Sequence, residues 1–473
     1  MLRFLALSLG IAVALASTAA FSSDRAQSFL VDKHLSGIPF VLPHSWAGTL
    51  PVSDAKNDSQ KLFFWLWEPA GDQGHDDVVV WLNGGPGCSS LEGLLQENGP
   101  ISVGGEADAV TVKPNPYSWT NLSHVVWIES PVGVGFTEGT PSIDSERGQA
   151  KQMYGFLQQF FATFTELQGK RLWLTGESYA GKYIPYIADE IYRHDQNASG
   201  INLQGIAIND PSFTTDFLGE EAPVYQFIKH HRDVMQLNDT ALKLVHNVAK
   251  KQGVATYVED NLHYPPKGNI YKPAQWNSSL SVFDAASRVA SKTKCFNLYN
   301  IKPDCGSVTD ALGMPLDTQV ASKHNFLNAH PDLKKALHVN VSKAWLECTD
   351  SSVFLGKHGD TSAPPDRTVL PGVIEKNVRT VIQHGTYDMV LIANGSALAI
   401  QNMTWNGKMG FQTKPSTPLK VDGKTAGVFA KERGLTFVQV AQSGHMIPQF
   451  KPEAAFKLQQ YLLGQVSEKE LQE

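Results

Sequence analysis

The stretch that decides the fold is residues 171–181, which read RLWLTGESYAG. Its apolar first half, which ends at Thr175, has the composition of a strand. A Gly-x-Ser turn follows, and an apolar-periodic run over residues 183–191 predicts a helix. A strand, a sharp turn that carries serine and then a helix form the context of a nucleophile elbow, so Ser178 is the candidate nucleophile. Taken alone, the pattern also fits an ordinary strand-to-helix turn capped by Ser178.

Apolar runs on both sides of this turn have the length and composition of buried strands. They are residues 61–67, 78–82, 125–128, 203–208, 378–382 and 436–440. From residue 61 to residue 211 such strands alternate with helices, which predicts a parallel sheet with helices on both faces. Residues 45–51, which precede the first of these strands, are interpreted as turn-prone.

The N-terminus has the features of a secretory signal peptide. Arg3 supplies a positive charge, residues 4–15 are apolar, and small residues follow as far as Ala20. This pattern predicts a signal peptide over residues 1–20, with cleavage between about residues 16 and 20. The alternative is a buried N-terminal helix.

Composition limits the partners and the location. No later stretch is long and apolar enough to span a membrane, and the polar residues 464–470 carry no lipid-anchor signal. We therefore expect a protein of the secretory pathway without a membrane anchor, either extracellular or in a vacuole- or lysosome-like compartment. The formal net charge of −6 and the lack of Lys/Arg runs argue against nucleic acid and anionic membranes as partners.

Cysteines and glycosylation sequons agree with an oxidising compartment. The four cysteines are expected to form two disulfides, in one of three possible pairings. Spacing favours Cys295–Cys305 as a local loop closure, which leaves Cys88–Cys348 as a long-range tie. Eight Asn-x-Ser/Thr sequons predict several N-linked glycans. Their asparagines are Asn57, Asn121, Asn197, Asn238, Asn277, Asn340, Asn394 and Asn402.

The pattern of predicted secondary structure changes between residues 216 and 323. Helical segments dominate there, and loops and scattered aromatic residues replace the strands. We interpret this segment as a cap insertion over the active site and not as an independent domain. Residues 21–215 and 324–473 would then form the first and second parts of one α/β core.

A serine nucleophile on such a sheet needs an acid and a histidine, in that chain order, each just after a strand. Asp388 follows the run at 378–382, and His445 follows the run at 436–440. His445 would take the proton of Ser178, while Asp388 would hold the imidazole in the correct tautomer and stabilise its cation. Asp388 alone could be a turn cap and His445 a loop histidine. Their common order after strands favours a triad and predicts the α/β-hydrolase fold, with a mostly parallel central sheet and a helical cap insertion.

Residues 83–90, NGGPGCSS, form a Gly-rich loop directly after the buried strand at 78–82 and then start a predicted helix that bears Glu97. Such a loop is where α/β proteins place functional backbone, although a tight connection is the alternative. A serine hydrolase must meet the oxyanion with backbone N–H donors. The candidate donors are the N–H groups of Tyr179 and of Gly85, since glycine allows a close approach to substrate.

Four stretches together resemble the serine carboxypeptidases, the α/β-hydrolase family related to vacuolar carboxypeptidase Y. They are WLNGGPGCSS at 81–90, ESPVGVGF at 129–136, GESYAG at 176–181 and GHMIP at 444–448. The resemblance spans nearly the whole mature chain. It implies removal of single C-terminal amino acids from peptides and proteins at acidic pH, through an acyl-enzyme and without a metal or organic cofactor.

The resemblance also implies how the substrate carboxylate is held. Asn83 and the N–H of Gly84 would donate to it, and Glu97 and Glu177 would lie close together beside them. Two carboxyl groups at that distance cannot both ionise cheaply, so one keeps a proton to high pH and donates a hydrogen bond to the carboxylate. This gives a physical reason for an acidic optimum. The alternative is a pair of solvated glutamates.

Two positions depart from the family pattern. The family usually carries an Asp before the Pro that follows the GHMIP stretch, whereas residues 449–452 read QFKP here. Residues 389–391 lack the cysteine that some relatives carry after the acid. Neither change touches the residues named above. A further hypothesis concerns Glu92, which shares a predicted helix with Glu97 and would let the enzyme accept C-terminal Lys or Arg.

Three other functions remain alternatives to a carboxypeptidase. An acyltransferase of the same family would use the same triad and give the acyl group to an alcohol, which product analysis would reveal. A non-catalytic binding protein on this scaffold would not need an intact triad. A lipase or esterase is disfavoured by Glu97 and Glu177, which suit a substrate carboxylate.

Overall fold

The computed structural model describes residues 21–55, 58–71, 73–105, 109–293, 296–302, 311–312, 325–349 and 352–473. The strands in these ranges are β1 Leu30–Val31, β2 Ser45–Pro51, β3 Lys61–Trp67, β4 Asp77–Leu82, β5 Ile101–Gly104, β6 Thr111–Pro114, β7 His124–Glu129, β8 Arg171–Glu177, β9 Asn202–Asn209, β10 Arg379–Gly385, β11 Thr404–Trp405, β12 Lys408–Met409, β13 Thr417–Val421, β14 Lys424–Glu432 and β15 Leu435–Val440. The α-helices are α1 Asp24–Gln27, α2 Glu146–Thr163, α3 Ala180–Ile191, α4 Gln196–Ser199, α5 Val224–His230, α6 Asp239–Gln252, α7 Tyr257–Asn261, α8 Val282–Ala290, α9 Phe326–Ala329, α10 Pro331–Ala336, α11 Leu370–Lys376, α12 Ala393–Gln401, α13 Ile447–Phe450 and α14 Pro452–Leu463.

Strands from the whole length of the described chain form one sheet, in the order β1-β2-β3-β7-β4-β8-β9-β10-β15-β14-β13. Its six central strands, from β7 to β15, are parallel. The outer strands on both sides are antiparallel. All central strands therefore end at the same edge, where ligands bind in sheets of this kind.

Successive side chains of the central strands pack alternately into two apolar layers, because side chains along a strand point to opposite faces of the sheet in turn. On β4, Val78 and Val80 face a layer that includes Phe160 of α2 and Tyr183 of α3. Trp81 faces the opposite layer, which includes Leu458 and Tyr461 of α14. Burial on both faces explains why the central strands are continuous apolar runs. Each predicted strand is present, and the sheet and its covering helices confirm the α/β-hydrolase prediction.

The prediction for residues 45–51 is wrong, because they form β2, which pairs with β3 along its whole length. The glycine and proline that suggested a turn have other roles in this strand. Gly48 makes room for the ring of Phe29, since a Cβ there would lie 2.6 Å from Phe29 Cδ1. Pro51 is the last residue of the strand, where a missing N–H is tolerated. The strand β3 is antiparallel to β7, so the parallel pattern starts at β4 and not at residue 61.

The segment after β9 builds a third apolar cluster. It contains Phe227 of α5, Val245 of α6 and Val282 of α8, together with Met389 and Leu398 from the segment after β10. The helices of this segment thus share their apolar core with the chain that follows the predicted acid. This sharing agrees with a cap that is not an independent domain; the boundaries 216–323 remain a prediction, because part of that range lies outside the described residues.

Cys88 and Cys348 form a disulfide that links positions 260 residues apart. On either side of it, Ser89 N–H donates to Glu347 O at 2.7 Å and Thr349 N–H donates to Gly87 O at 2.9 Å. The bond therefore anchors the Gly-rich loop after β4 to the second half of the core. Cys295 and Cys305 lie outside the described residues.

Candidate active site

Ser178 occupies the sharp turn between β8 and α3, with a left-handed φ of +59°. Its N–H donates to Asn209 O at 3.0 Å, and its carbonyl accepts from Ser212 N–H at 2.9 Å. The backbone of this turn is thus held from the end of β9. Left-handed φ values are costly for residues other than glycine and cluster at functional sites. The geometry is that of a nucleophile elbow.

Asp388 and His445 lie together after the neighbouring parallel strands β10 and β15. His445 Nδ1 is 2.7 Å from Asp388 Oδ2. The other oxygen, Oδ1, accepts from Val390 N–H at 2.8 Å and from Leu391 N–H at 3.2 Å. Burial alone would raise the pKa of Asp388, but the charge of His445 and hydrogen bonds from histidine outweigh it and lower that pKa. With Nδ1 bonded to Asp388, Nε2 is the nitrogen of His445 that can accept a proton.

The Gly-rich loop packs directly against the elbow. A Cβ on Gly84 would lie 2.4 Å from Tyr179 N and 2.7 Å from Ser178 Cβ, so only glycine fits there. Gly85, the next residue, has φ +107°, which favours glycine. The structure thus brings both loops that carry the predicted oxyanion donors, Gly85 and Tyr179, into contact.

Asn83 lies at the centre of a buried cluster of carboxyl groups. Its Nδ2 is 3.1 Å from Glu177 Oε1, 3.2 Å from Glu92 Oε2 and 3.5 Å from Glu97 Oε1. One oxygen from each of these glutamates lies within 4.8 Å of the others. The Oδ1 of Asn83 accepts from Trp81 Nε1 at 2.7 Å, which fixes the direction of the amide. The predicted carboxylate-binding residues are therefore together, and Glu92 joins them.

A π-helical turn over Gly93–Glu97 makes this grouping possible, where the sequence predicted an ordinary helix. Asn98 N–H donates to Gly93 O at 2.9 Å, five residues back. The wider turn brings Glu92 and Glu97, which are also five residues apart, to the same side of the backbone. Both side chains are buried.

Burial is the largest influence on the protonation of this cluster. It raises the pKa of Glu97 to about 7, although hydrogen bonds from Glu177 and Asn83 and the charge of His445 act in the opposite direction. Burial and then the charges of Glu97 and Glu92 hold the pKa of Glu177 well above its usual range. The Oε2 atoms of Glu97 and of Glu177 accept no hydrogen bond from an N–H or hydroxyl group of the described residues, so each can carry a proton.

Three carboxyl groups at this spacing could also hold a hard cation. The amide of Asn83 argues against that use. Its Nδ2 donates into the cluster and its orientation is fixed by Trp81, so N–H groups stand where a cation would meet the oxygens. An N–H group and a carboxylic acid both suit an incoming carboxylate.

Within the stretch at 129–136, Glu129 contacts the Gly-rich loop. Glu129 is fully buried, and its carboxyl accepts hydrogen bonds from Ser89, from Phe136 N–H and from Trp345 Nε1. It therefore joins the Gly-rich loop to the loop after β7. Burial raises the pKa of Glu129 to about 7, against the effect of these hydrogen bonds.

Sequence analysis missed a second, partly buried network beside the elbow. Tyr179 Oη donates to Asp360 Oδ2 at 3.0 Å, and Lys182 Nζ lies 3.1 Å from Tyr179 Oη. The carboxyl of Glu146, at the start of α2, is fully buried and meets that of Asp360. Burial and then Asp360 hold the pKa of Glu146 well above its usual range, with Lys182 opposing. No local sequence pattern pointed to Glu146 or Asp360, because their contact joins distant parts of the chain.

Asp210 was also missed, although the sequence placed it at the end of a strand. Its carboxyl lies next to the Asp388–His445 pair, and one oxygen of Asp210 and of Asp388 and one ring nitrogen of His445 lie within 4.8 Å of one another. Its left-handed φ of +42° marks the position as unusual, but a backbone angle cannot be read from the sequence.

Comparison with known proteins agrees with this geometry. The family model for serine carboxypeptidases matches residues 41–465. A probable serine carboxypeptidase of Arthroderma benhamiae is 38% identical over 483 aligned positions, which cover 95% of this chain and 89% of the relative. Serine-type carboxypeptidase F of Aspergillus niger is 35% identical, with 94% of this chain and 88% of the relative covered.

A solved structure shares the fold. The prohormone-processing carboxypeptidase of Saccharomyces cerevisiae superposes with a TM-score of 0.73 over 93% of this chain and 97% of that chain, at 23% identity. Within the described ranges, no helix combines the length and apolar character needed to cross a membrane. The family model and the two fungal relatives cover nearly all of the sequence, and the chain therefore belongs to the serine carboxypeptidase family.

Proposed function

We propose that this serine carboxypeptidase releases single C-terminal amino acids with Ser178, His445 and Asp388 as its triad. His445 Nε2 takes the proton of Ser178 as the hydroxyl attacks the scissile carbonyl, and Asp388 stabilises the imidazolium that forms. The N–H groups of Tyr179 and Gly85 receive the oxyanion. His445 then gives the proton to the departing amine, which leaves an acyl-enzyme. Water, deprotonated by His445, hydrolyses the ester and restores Ser178.

The observation that carries the proposal is the buried carboxyl cluster around Asn83, beside the nucleophile. Glu177 is adjacent to Ser178 in sequence, and its carboxyl is buried with that of Glu97 next to the amide of Asn83. A free carboxylate at the end of a peptide would receive hydrogen bonds from Asn83, from Gly84 N–H and from a protonated glutamate. An internal peptide bond has no such group, which explains removal from the end only.

The same cluster supports an acidic optimum. Because burial raises the pKa of Glu97 to about 7, the cluster keeps a proton at acidic pH and loses it as the pH rises. An ionised cluster repels the substrate carboxylate. Binding of the peptide end should therefore weaken toward alkaline pH.

Release of free amino acid from an N-blocked dipeptide at about pH 4.5 and about pH 7.5 tests the proposal. The comparison needs wild type and Ser178→Ala. We expect release by wild type only, faster at the acidic pH. If the folded, glycosylated wild type releases nothing, the chain is an acyltransferase or a binding protein, and transfer of the acyl group to an added alcohol separates these two.

We further propose the secretory pathway as the route and an extracellular or vacuole-like compartment as the destination. Peptide and protein C-termini are the substrates. Of the eight predicted glycosylation sites, Asn57 lies outside the described residues, whereas Asn394 and Asn402 are half-buried. The others, Asn121, Asn197, Asn238, Asn277 and Asn340, have exposed side chains that can carry a glycan. Mass spectrometry of glycopeptides would show which sites are occupied.

A further inference from the structure

Asp210 makes contacts that the catalytic steps above do not use. It is fully buried at the end of β9, where φ is +42°. Its Oδ1 accepts from Gly385 N–H at 2.7 Å, while its Oδ2 has no hydrogen-bond partner of the usual kind among the described residues. Its carboxyl group meets that of Asp388, and both lie close to His445. The predicted acid of the triad is therefore one member of a pair of carboxyl groups.

We propose that Asp210 is protonated in the working enzyme and donates a hydrogen bond to the carboxylate of Asp388, as a positioning residue of the triad. The proposal rests on the catalytic roles proposed for Ser178, Asp388 and His445. Two carboxyl groups in contact inside a protein share one negative charge, because two would repel each other without solvent to screen them.

The hydrogen-bond donors decide which carboxyl keeps the charge. Asp388 receives hydrogen bonds from Val390 N–H, from Leu391 N–H and from His445 Nδ1. Asp210 receives one from Gly385 N–H. Hydrogen bonds to the charged form favour that form, so the charge stays on Asp388 and the proton on Asp210.

The other charged and titratable groups around Asp210 agree with this assignment. His384 Nε2, on β10, is 3.5 Å from Asp210 Oδ1 and 3.7 Å from Asp388 Oδ2, but it lies closer, at 2.7 Å, to Leu391 O. The carboxyl group of Glu97 also disfavours a negative charge on Asp210. Burial, followed by the charge of Asp388, holds the pKa of Asp210 well above its usual range.

This hydrogen bond has a consequence for catalysis at acidic pH. His445 must be neutral to accept the proton of Ser178, and an unshared negative charge on Asp388 would favour the imidazolium. A hydrogen bond from Asp210 takes up part of that charge. The triad then works at lower pH, which suits an enzyme that also needs a protonated glutamate cluster.

Two variants distinguish the hydrogen bond that Asp210 donates from the volume that its side chain fills. Asp210→Asn keeps the shape, can accept from Gly385 N–H and donates to Asp388 at every pH. Asp210→Gly removes the side chain at a position whose φ suits glycine. The quantity to measure is the acid limb, the fall of kcat/KM as the pH is lowered. An ester substrate without a free carboxylate is used, so that the protonation of Glu97 and Glu177 does not affect substrate binding. Rates are normalised to titrated active sites.

We expect Asp210→Asn to keep the wild-type acid limb, and Asp210→Gly to move it up by about one pH unit, or about tenfold in kcat/KM at a fixed acidic pH. An unshifted limb in Asp210→Gly, or equal shifts in both variants, would overturn the proposal. A wild type that is inactive on both peptide and ester would refute the proposed function instead.

Infrared spectroscopy tests whether Asp210 is protonated and does not depend on a measurement of activity. The wild type minus Asp210→Asn difference spectrum at about pH 6 should show the carbonyl stretch of one buried protonated carboxyl group. A carboxylate band in its place would place the negative charge on Asp210 and refute the assignment, whatever the kinetics show.

Discussion

The backbone nitrogen of Tyr179 lies so close to Gly84 that a Cβ atom on Gly84 would stand only 2.4 Å from it. The two residues follow neighbouring parallel strands, β4 and β8, in which Leu82 is paired with Gly176. Register of the sheet therefore sets the distance between the Gly-rich loop and the nucleophile elbow. The predicted oxyanion donors and the residues proposed to bind the substrate carboxylate lie on these two loops.

The first prediction follows from this contact. Gly84→Ala should lower kcat/KM on a blocked dipeptide by about 100-fold or more, the size found when one oxyanion donor is lost. The added methyl must push the loop away from Tyr179 N and Ser178 Cβ, because backbone cannot yield as a flexible side chain does. Gly372→Ala is the matched control, since a Cβ at Gly372 meets open space. Equal activity of the two variants would contradict the argument.

The second prediction concerns the proton of the carboxyl cluster. For a peptide substrate, kcat/KM should fall with rising pH above about 7, because burial raises the pKa of Glu97 to about 7 and the ionised cluster repels the substrate carboxylate. Glu97→Gln should move this fall to higher pH, because the amide does not ionise and the pKa of Glu177 is held well above its usual range. The amide can still accept from Asn83 at the position of Oε1 and can donate from the position of Oε2.

A peptide with a C-terminal amide is the control for this experiment. It lacks the carboxylate, so its slow hydrolysis should not show the alkaline fall in either enzyme. The idea fails if Glu97→Gln and wild type lose activity on the free peptide along the same pH curve.

Local sequence patterns predicted those parts of the molecule that depend on local chemistry. The apolar run of β8 and the turn at Ser178 were readable because burial and the elbow each impose a pattern on neighbouring residues. Asp388 and His445 could be placed because parallel strands end at one edge. The predicted pairing of Asn83 with Glu97 and Glu177 came from family resemblance, and the structure places them in contact.

The parts that escaped prediction depend on contacts between distant segments. The strand β2 carries Gly48 and Pro51, which signal a turn locally, and only the pairing with β3 makes it a strand. Asp210 meets Asp388, and Glu146 meets Asp360, across large sequence separations. A carboxyl group whose partner is another carboxyl group leaves no charge complementarity that a sequence pattern could reveal.

The third prediction tests Glu92 as a determinant of substrate preference. Its Oε2 is 3.2 Å from Asn83 Nδ2, so it adds a third carboxyl group beside Glu97 and Glu177, which are proposed to meet the substrate carboxylate. A cationic side chain on the departing residue would offset the added charge. Glu92→Gln should lower the ratio of kcat/KM for C-terminal Lys over Leu by about tenfold, with little change for Leu. An unchanged Lys-to-Leu ratio would refute the hypothesis.

The fourth prediction is a dependence of stability on pH that originates in Glu146. Burial and Asp360 hold its pKa well above the usual 4.5, so between these values the folded state binds a proton that the unfolded state has released. Its contribution to the free energy of unfolding is therefore complete below about pH 4.5 and is lost as the pH rises through the folded-state pKa. Glu146→Gln, which can donate to Asp360 at every pH, removes this contribution.

Denaturant unfolding at about pH 5 and about pH 8 measures the difference. The free energy of unfolding should fall more in wild type than in Glu146→Gln, because only wild type carries the carboxyl group whose pKa is raised. Glu259→Gln, at an exposed site on α7, should follow wild type. Other buried acids with raised pKa values, such as Glu97 and Glu129, act in the same direction and remain in both proteins, so only the difference between the two curves reports Glu146. Parallel curves for wild type and Glu146→Gln would show that Glu146 is already ionised at pH 5 and that its contact with Asp360 does not depend on a shared proton.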